Sequence, residues 1–477
     1  MNYEKGSYRD FVRSRCQTNP CVTGLADYLR CGPGAASTIV TLDYSRDGQS
    51  VPNPLTVSEV DLARLMGATS TTAGRIVLVE NIQPHLVSFL GEILDVDPIF
   101  FAGHVTTDFK DIEKAPPPPS LALFPSQIAE NGYLHLHYQQ VLDLGSADVF
   151  TSSYSLKSDS NVPRNVRRLP HLSGRQIALA RACCSILVKK IKGIWICLVL
   201  VDPPVNMVHE TLGLGGRKSH PSMMLHGGFE EFKQPASFAS FGSTTSDRLP
   251  DKKSMLSNLL RYFRHQPPGF MIAEPSILSL GYYPIRMVLG EWILYTLLMS
   301  RYLKYYEYTL HDIENRLHDS DIIDLQRWRR RSMQSRHKLI LLSEFIDYWL
   351  QQESKKQPWD FILKDIKHVS SQLEHYSRSL EHMVPVATSM VQLLDSRRSI
   401  QEAADVSRLT FIALVFVPLS WVASLFSMSE DYSPGHKSFW VYFATALPVM
   451  ILVLLLSTVQ GDRLKGKLNR IWVVLRW

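Results

Sequence analysis

The sequence predicts an α+β membrane protein: a soluble N-terminal part mixing strands and helices, a long stalk helix, and two C-terminal transmembrane helices. Three observations predict it. Two uncharged apolar runs, Leu409–Met428 and Phe439–Val459, each have about the 20 residues that cross roughly 30 Å of hydrocarbon as a helix. An apolar heptad seam runs directly into the first of them. Upstream, short apolar runs, alternating segments and helical periodicities follow one another, the pattern of a mixed domain.

The spans come first because their signal is sharpest. A charge near a helix centre costs about 2.5 to 3.5 kcal/mol, and each large apolar residue returns only about 0.3 to 0.6. Neither run carries a charge, whereas core helices of soluble proteins usually stop at about 10 to 14 residues and keep a polar face. Orientation follows from the basic residues. Arg397, Arg398 and Arg408 precede the first span, and Arg463, Lys465, Lys467, Arg470 and Arg476 follow the second, while the connecting loop has only Lys437. Both ends are therefore expected in the cytosol, with the loop and its Glu430 and Asp431 outside, in a multi-pass protein of the plasma membrane.

Composition agrees with a soluble bulk and a greasy end. The chain has 477 residues, 45% of them hydrophobic, enough for two or three folding units. Its net charge of +6 is modest and partly juxtamembrane, so nothing points to nucleic acid. The six cysteines match no zinc spacing and are read as reduced packing residues. With Glu4 and Asp10 and no apolar stretch, the N-terminal residues read as neither secretory signal nor transit peptide.

Along the chain, residues 1–74 are rich in Gly, Ser, Thr and Pro and are expected to be poorly ordered. A soluble α/β domain is expected over 75–284. Ile76-Val77-Leu78-Val79 reads as a buried strand and Pro84–Leu94 as a helix, with Leu86, Phe89, Leu90 and Ile93 at helical spacing. Beyond the proline-rich linker 115–119, Tyr133–Gln140 alternates, Leu134, Leu136 and Tyr138 on one face and His135 and His137 on the other. Two His at i and i+2 suit a metal, but without a third ligand in view the pair reads as a solvated strand face. Ile177–Val188 and Ile194–Val201 read as a hairpin. Residues 206–254 break the pattern; Gly213-Leu214-Gly215-Gly216-Arg217 lacks the Gly-Lys-Ser or Gly-Lys-Thr ending of a phosphate loop, so a mobile insertion is expected.

Long helices are expected over 285–408. Met287–His318 and Asp321–Gln352 read as an antiparallel pair, the second carrying Arg327-Trp328-Arg329-Arg330-Arg331 as a solvated basic face. Next come Ile362, Ile366, Val369, Leu373, Tyr376, Leu380, Met383, Ala387, Met390 and Leu394 at steps of four and three, a seam that asks for partner helices. Pro385 inside it predicts a bend or a lost hydrogen bond. No breaker separates the seam from the first span, so a single helix of about 100 Å is expected from residue 360 to 428. The first span at 409–428, a loop at 429–438, the second span at 439–459 and a basic tail at 460–477 complete the plan.

Asp405-Val406-Ser407-Arg408-Leu409-Thr410-Phe411-Ile412-Ala413 and Phe416-Val417-Pro418-Leu419-Ser420-Trp421-Val422-Ala423-Ser424-Leu425-Phe426 resemble the first span of the CorA-type divalent metal ion transporters. Leu78-Val79-Glu80-Asn81-Ile82 and Asp97-Pro98-Ile99-Phe100-Phe101-Ala102-Gly103-His104 resemble the soluble domain of the family's eukaryotic branch. The resemblance implies a cytosolic α/β/α domain, a homopentamer with a funnel of stalk helices, a central pore lined by the first span, and magnesium as the transported ion. It departs from the family at one place. The hallmark Gly-Met-Asn is here Ser427, Met428 and Ser429. Ser429 keeps an oxygen, but a hydroxyl is shorter than an amide and a different acceptor, so capture of a hydrated cation is expected to be weaker or differently selective.

Independently of the family, Ser427, Ser424, Ser420, Val417 and Ala413 fall on one helical face, which suits a water-lined path or close helix packing. Glu430 and Asp431 would concentrate cations outside. The expectations are thus a transporter of divalent cations that associates with itself and with lipid, without catalytic residues or cofactor, and with any regulatory metal ligands unassigned. Two rivals stand beside it: a non-conducting membrane-anchored sensor or scaffold on the same architecture, and a metalloenzyme domain using His135 and His137.

Overall fold

The computed structural model describes residues 6–48, 51–65, 71–107, 127, 130, 132–150, 155–211, 217–225, 254–311, 319–352, 358–428 and 437–455. The chain divides into two compact units, Met1–His311 with Ser320–Val384, and Asp312–Asp319 with Pro385–Trp477.

The first unit is built on one mixed sheet. Its strands are β1 (Thr38–Ser45), β2 (Pro54–Thr56), β3 (Thr72–Glu80), β4 (Tyr133–Ser146), β5 (Ser155–Ser158), β6 (Asn165–Arg168), β7 (Arg175–Ile191), β8 (Ile194–Val201), β9 (Met207–Thr211), β10 (Arg217–Pro221) and β11 (Met223–Met224). They are ordered β10-β9-β5-β6-β7-β8-β3-β1-β2, with β4 along the other edge of β7 and β11 beside β4. Strand β3 pairs parallel to β8, Leu78 opposite Val199. The predicted hairpin is present: β7 and β8 pair antiparallel, and Lys192 and Gly193 between them both have positive φ, the geometry that matches the twist of the flanking strands.

Strand β7 is long enough to serve two neighbours on one edge. Val166 to Arg168 of β6 pair with its first half, and β8 takes over from Cys184. At the fork, Asp202 accepts the Cys183 N–H at 2.7 Å, which satisfies a ladder donor that neither strand reaches.

One face of the sheet is covered by short helices: α1 (Tyr8–Cys16), α2 (Thr23–Tyr28), α3 (Glu59–Leu65), α4 (Pro84–Leu94) and α5 (Pro98–Val105). Val12, Val22, Leu25, Leu86, Leu90, Phe100 and Phe101 pack there against Val77, Val79, Ile196 and Leu198. Caps set the ends. The Ser7 hydroxyl accepts from Asp10 N–H, Asp97 accepts from Ile99 N–H ahead of Pro98, and α4 stops at a left-handed Asp95. This corrects the expectation of a poorly ordered stretch over 1–74. The Tyr8 hydroxyl donates to Val96 O at 2.9 Å and the Tyr28 hydroxyl to Ile82 O at 2.7 Å, tying α1 and α2 down by side chains whose partners lie more than fifty residues away in sequence. The expectation of a mobile insertion over 206–254 is corrected in the same way for β9, β10 and β11; residues 226–253 lie outside the described ones.

The opposite face carries α6 (Met255–Tyr262) and α7 (Ile277–His311). A Cβ on Gly281 would touch Ile186 and Leu134, so α7 packs on the sheet at this glycine. The Trp195 indole donates to Ile272 O at 2.6 Å, and the Tyr44 hydroxyl to Phe263 O at 2.8 Å. The next helix, α8 (Asp319–Gln352), packs on α7 through Trp328, whose ring lies 6.1 Å from that of Tyr295 and 5.3 Å from that of Tyr302. Trp328 is a core residue rather than part of a solvated face, while Arg327 and Arg329 around it pair with Asp324 and Glu381.

Helix α9 runs unbroken from Trp359 to Phe426 and continues through Pro385 and Pro418. At about 1.5 Å per residue it is about 100 Å long. The first half of its seam finds partners within the chain. Ile362, Ile366, Val369, Leu373 and Leu380 are buried, Trp359 packs edge-on against Tyr282, and Glu374 and Glu381 pair with Arg336 and Arg329 of α8. From residue 395 to 413 the helix is exposed all round.

The second unit holds the remainder of α9 and α10 (Trp440–Leu455). Among the described residues α9 is the one helix long and apolar enough to cross a membrane. The expected end of the second span at Val459 and the basic tail lie outside the described residues.

Candidate functional site

The apolar end of α9 is barely covered by the rest of the chain. Leu409 is 72% exposed, and Phe411, Phe416 and Trp421 are also exposed, a surface that water would not leave bare. Over residues 409–428 and in α10 the buried described residues are Val422 and Ala446, and Phe426 meets Tyr442 ring to edge at 6.1 Å. The two positions in each helix are four apart, in opposite order, as an antiparallel pair requires. Ala446 is the small residue that admits a close approach.

The stripe lies on the other side. At about 100° per residue, Val422 is about 200° around the helix from both Ser420 and Ser424. Ala413, Val417, Ser420, Ser424 and Ser427 are all exposed, so they share a face turned away from α10. Among the described residues the hydroxyls of Ser420, Ser424 and Ser427 make no hydrogen bond, whereas Thr410 spends its own on Val406 O at 2.7 Å. A row of unspent hydroxyls in an apolar helix suits water, a hydrated ion or a neighbouring helix. Ser427 closes the last turn through its N–H to Ala423 O at 2.9 Å, and Met428 stands 85% exposed beyond it. Ser429, Glu430 and Asp431 lie outside the described residues.

The histidine pair is not a solvated strand face. His135 and His137 share the face turned toward the short helices, and Gly103 of α5 lies against the His135 ring, while His137 lines a cavity beside α2. The His135 ring stacks on Phe100, and its Nδ1 bonds the Ser185 hydroxyl at 2.8 Å, which also bonds His104 Nδ1 at 2.9 Å. Burial pushes the His135 imidazole down to about 3. Burial first, then Arg164 and His135, push His104 down as well. These rings are neutral packing and hydrogen-bonding groups. Among the described residues, no three or more His, Cys, Asp or Glu side chains gather as metal ligands do.

Sequence reasoning found the hydroxyl stripe but not the packing face opposite it. The available signal was Ala446, a small residue flanked one turn away on its own helical face by Tyr442 and Met450.

The family model described as CorA-like Mg2+ transporter protein matches residues 294–459. Among solved structures, the chain is similar to the complete CorA magnesium transporter from Methanocaldococcus jannaschii, at 10% identity and a TM-score of 0.35, over 88% of this chain and 96% of that one. It is also similar to full-length CmaX, at 12% identity and a TM-score of 0.35, over 87% of this chain and 96% of that one. No curated protein matches it.

Proposed function

The chain is CorA-like over residues 294–459, and from that premise we propose that it is a divalent-cation transporter, with magnesium as its ion. The observation that carries the reading is the hydroxyl stripe on the α9 face turned away from α10. In this reading α9 and α10 both cross the bilayer, with both chain ends in the cytosol of a plasma-membrane protein. Copies of the chain, five in number, bring the faces with Ala413, Val417, Ser420, Ser424 and Ser427 together around a central path, and the α10 helices form an outer ring against lipid.

Magnesium dehydrates reluctantly, so the mouth formed by Met428 and Ser429 has to hold the ion through its water shell. A ring of serine hydroxyls can donate and accept, which fits ordered water better than it fits a bare cation. Glu430 and Asp431 of every copy add negative potential outside the path and raise the local cation concentration. Uptake assays in magnesium-starved cells test the reading. Transport is expected to fall severalfold in the double substitution Glu430→Gln with Asp431→Asn, a screening-sensitive effect of steering charges. No uptake by the native chain, or a monomer in detergent, would remove the proposal.

The second reading, a membrane-anchored sensor or scaffold, draws on Ser427 and Ser429 standing where the family carries Gly and Asn. The substitution Ser427→Gly with Ser429→Asn separates the two. Flux rising from zero favours the scaffold; flux already present in the native chain dismisses it.

A further inference from the structure

We propose that a cavity in the first unit, between α2, the β4–β7 face and α8, binds a small soluble molecule bearing a phosphate group. The cavity has a volume of about 310 Å3 and is lined by Lys157, Arg164, Arg181 and Lys338 together with the polar side chains of Thr106 and Asn165. That volume is within the range of small-molecule sites, roughly 300 to 1,000 Å3.

The charges are unbalanced. Arg164 is neutralised by Asp202, which it holds through two hydrogen bonds of 2.9 Å. The one carboxylate lining the cavity, Asp27, is ion-paired to Arg30 at 3.2 Å. Lys157 and Lys338 make no ion pair among the described residues, and Arg181 lines the same cavity. A half-buried lysine is ordinarily matched by an acid, because an unpaired buried charge is costly. Here the neighbour of Lys338 is another cation: burial and then Arg181 push its amine down to about 8. An anion seated between Lys157 and Lys338 would offset the cost of burial and keep the Lys338 ammonium charged.

The chemistry of the donors selects the ligand. Two lysines provide point charges and Arg181 a planar guanidinium, the combination suited to a phosphate with several anionic oxygens. Tyr28, Val162 and Pro163 add an apolar wall for an organic portion. The site shares no residue with the stripe on α9, so it goes beyond the transport reading and does not depend on it.

The test uses the purified full-length protein in detergent without magnesium, with pyrophosphate as the probe and chloride at matched ionic strength as the control. Saturable binding by calorimetry, with a thermal shift, is expected for the native chain. Lys338→Gln and Lys157→Gln are each expected to weaken it about tenfold, as loss of one charge-assisted contact does. Lys157 is exposed, so its substitution keeps the fold intact even if that of Lys338 does not. Lys190→Gln, outside the cavity, is expected to bind as the native chain does. No saturable binding above the chloride control, or equal binding by all three variants, would overturn the proposal.

Discussion

Arg164 and Asp202 form a buried bidentate ion pair, Nε and Nη2 each 2.9 Å from a carboxylate oxygen, at the fork where β7 exchanges β6 for β8. Arg164 also donates to His104 O at 2.7 Å, and Asp202 accepts from the Cys183 backbone. The pair therefore joins the last turn of α5 to the centre of the sheet. Every strong polar group at the fork is satisfied by another, the condition under which buried charge is tolerated.

Removing one partner should be severe. Asp202→Ala strands the Arg164 guanidinium and the Cys183 N–H, and breaking a buried pair in this way costs about 3 to 5 kcal/mol. Denaturant unfolding in detergent measures it. Replacing both partners by apolar residues, Arg164→Met with Asp202→Leu, should cost less than Asp202→Ala alone. The opposite order would show that the pair does not work as a unit.

Gly103 is predicted to tolerate nothing larger. A Cβ there would enter the His135 ring, which cannot swing away because Phe100 stacks on it and Ser185 holds its Nδ1. Gly103→Ala should therefore destabilise by about 1 to 3 kcal/mol, the usual penalty of overpacking. A thermal midpoint unchanged from the native chain would mean that α5 shifts freely.

Acid should destabilise the first unit in a defined window. His135 in the folded chain is held at about 3 against an ordinary value of 6.5. The unfolded chain binds the proton more tightly, so the contribution is fully present above pH 6.5 and is lost progressively as pH falls from there toward 3. The thermal midpoint should fall between pH 7.5 and 5, with a shallower slope in His135→Gln. A flat native profile over that interval would contradict the neutral, buried assignment.

The strand at Ile76–Val79, the Pro84–Leu94 helix, the 177–201 hairpin and the unbroken long helix were legible because each has its period in the local sequence. The order over residues 8–65 was not. Tyr8, Val12, Leu25 and Tyr28 are scattered apolar residues whose partners, among them Ile82 and Val96, come from elsewhere in the chain, so no window of sequence shows them packing. His135 misleads for a related reason. Alternation says that it faces away from Leu134 and Leu136 but not that a helix thirty residues earlier covers that face. The stripe on α9 needs only helical spacing and was readable, whereas Lys157, Arg181 and Lys338 around the cavity come from β5, β7 and α8, which only the folded chain brings together.

The two faces of the apolar end of α9 should respond differently to added bulk. Ser424 lies on the exposed stripe and Val422, 3% exposed, on the side that meets α10. In the transport reading, Ser424→Phe narrows and dries the path, and hydrophobic constrictions stop ions by excluding water. Uptake per inserted copy should fall about tenfold or more with the amount of protein unchanged, since flux depends steeply on a single constriction. Val422→Phe instead overfills the contact with α10, at a cost of about 1 to 3 kcal/mol. It should lower the amount of folded protein recovered while leaving flux per copy near the native level. Leu425→Phe, on an exposed flank between the two faces, should change neither. Native flux in Ser424→Phe would show that the serine face does not line the path, and the hydroxyl row would then have to be read as a packing surface.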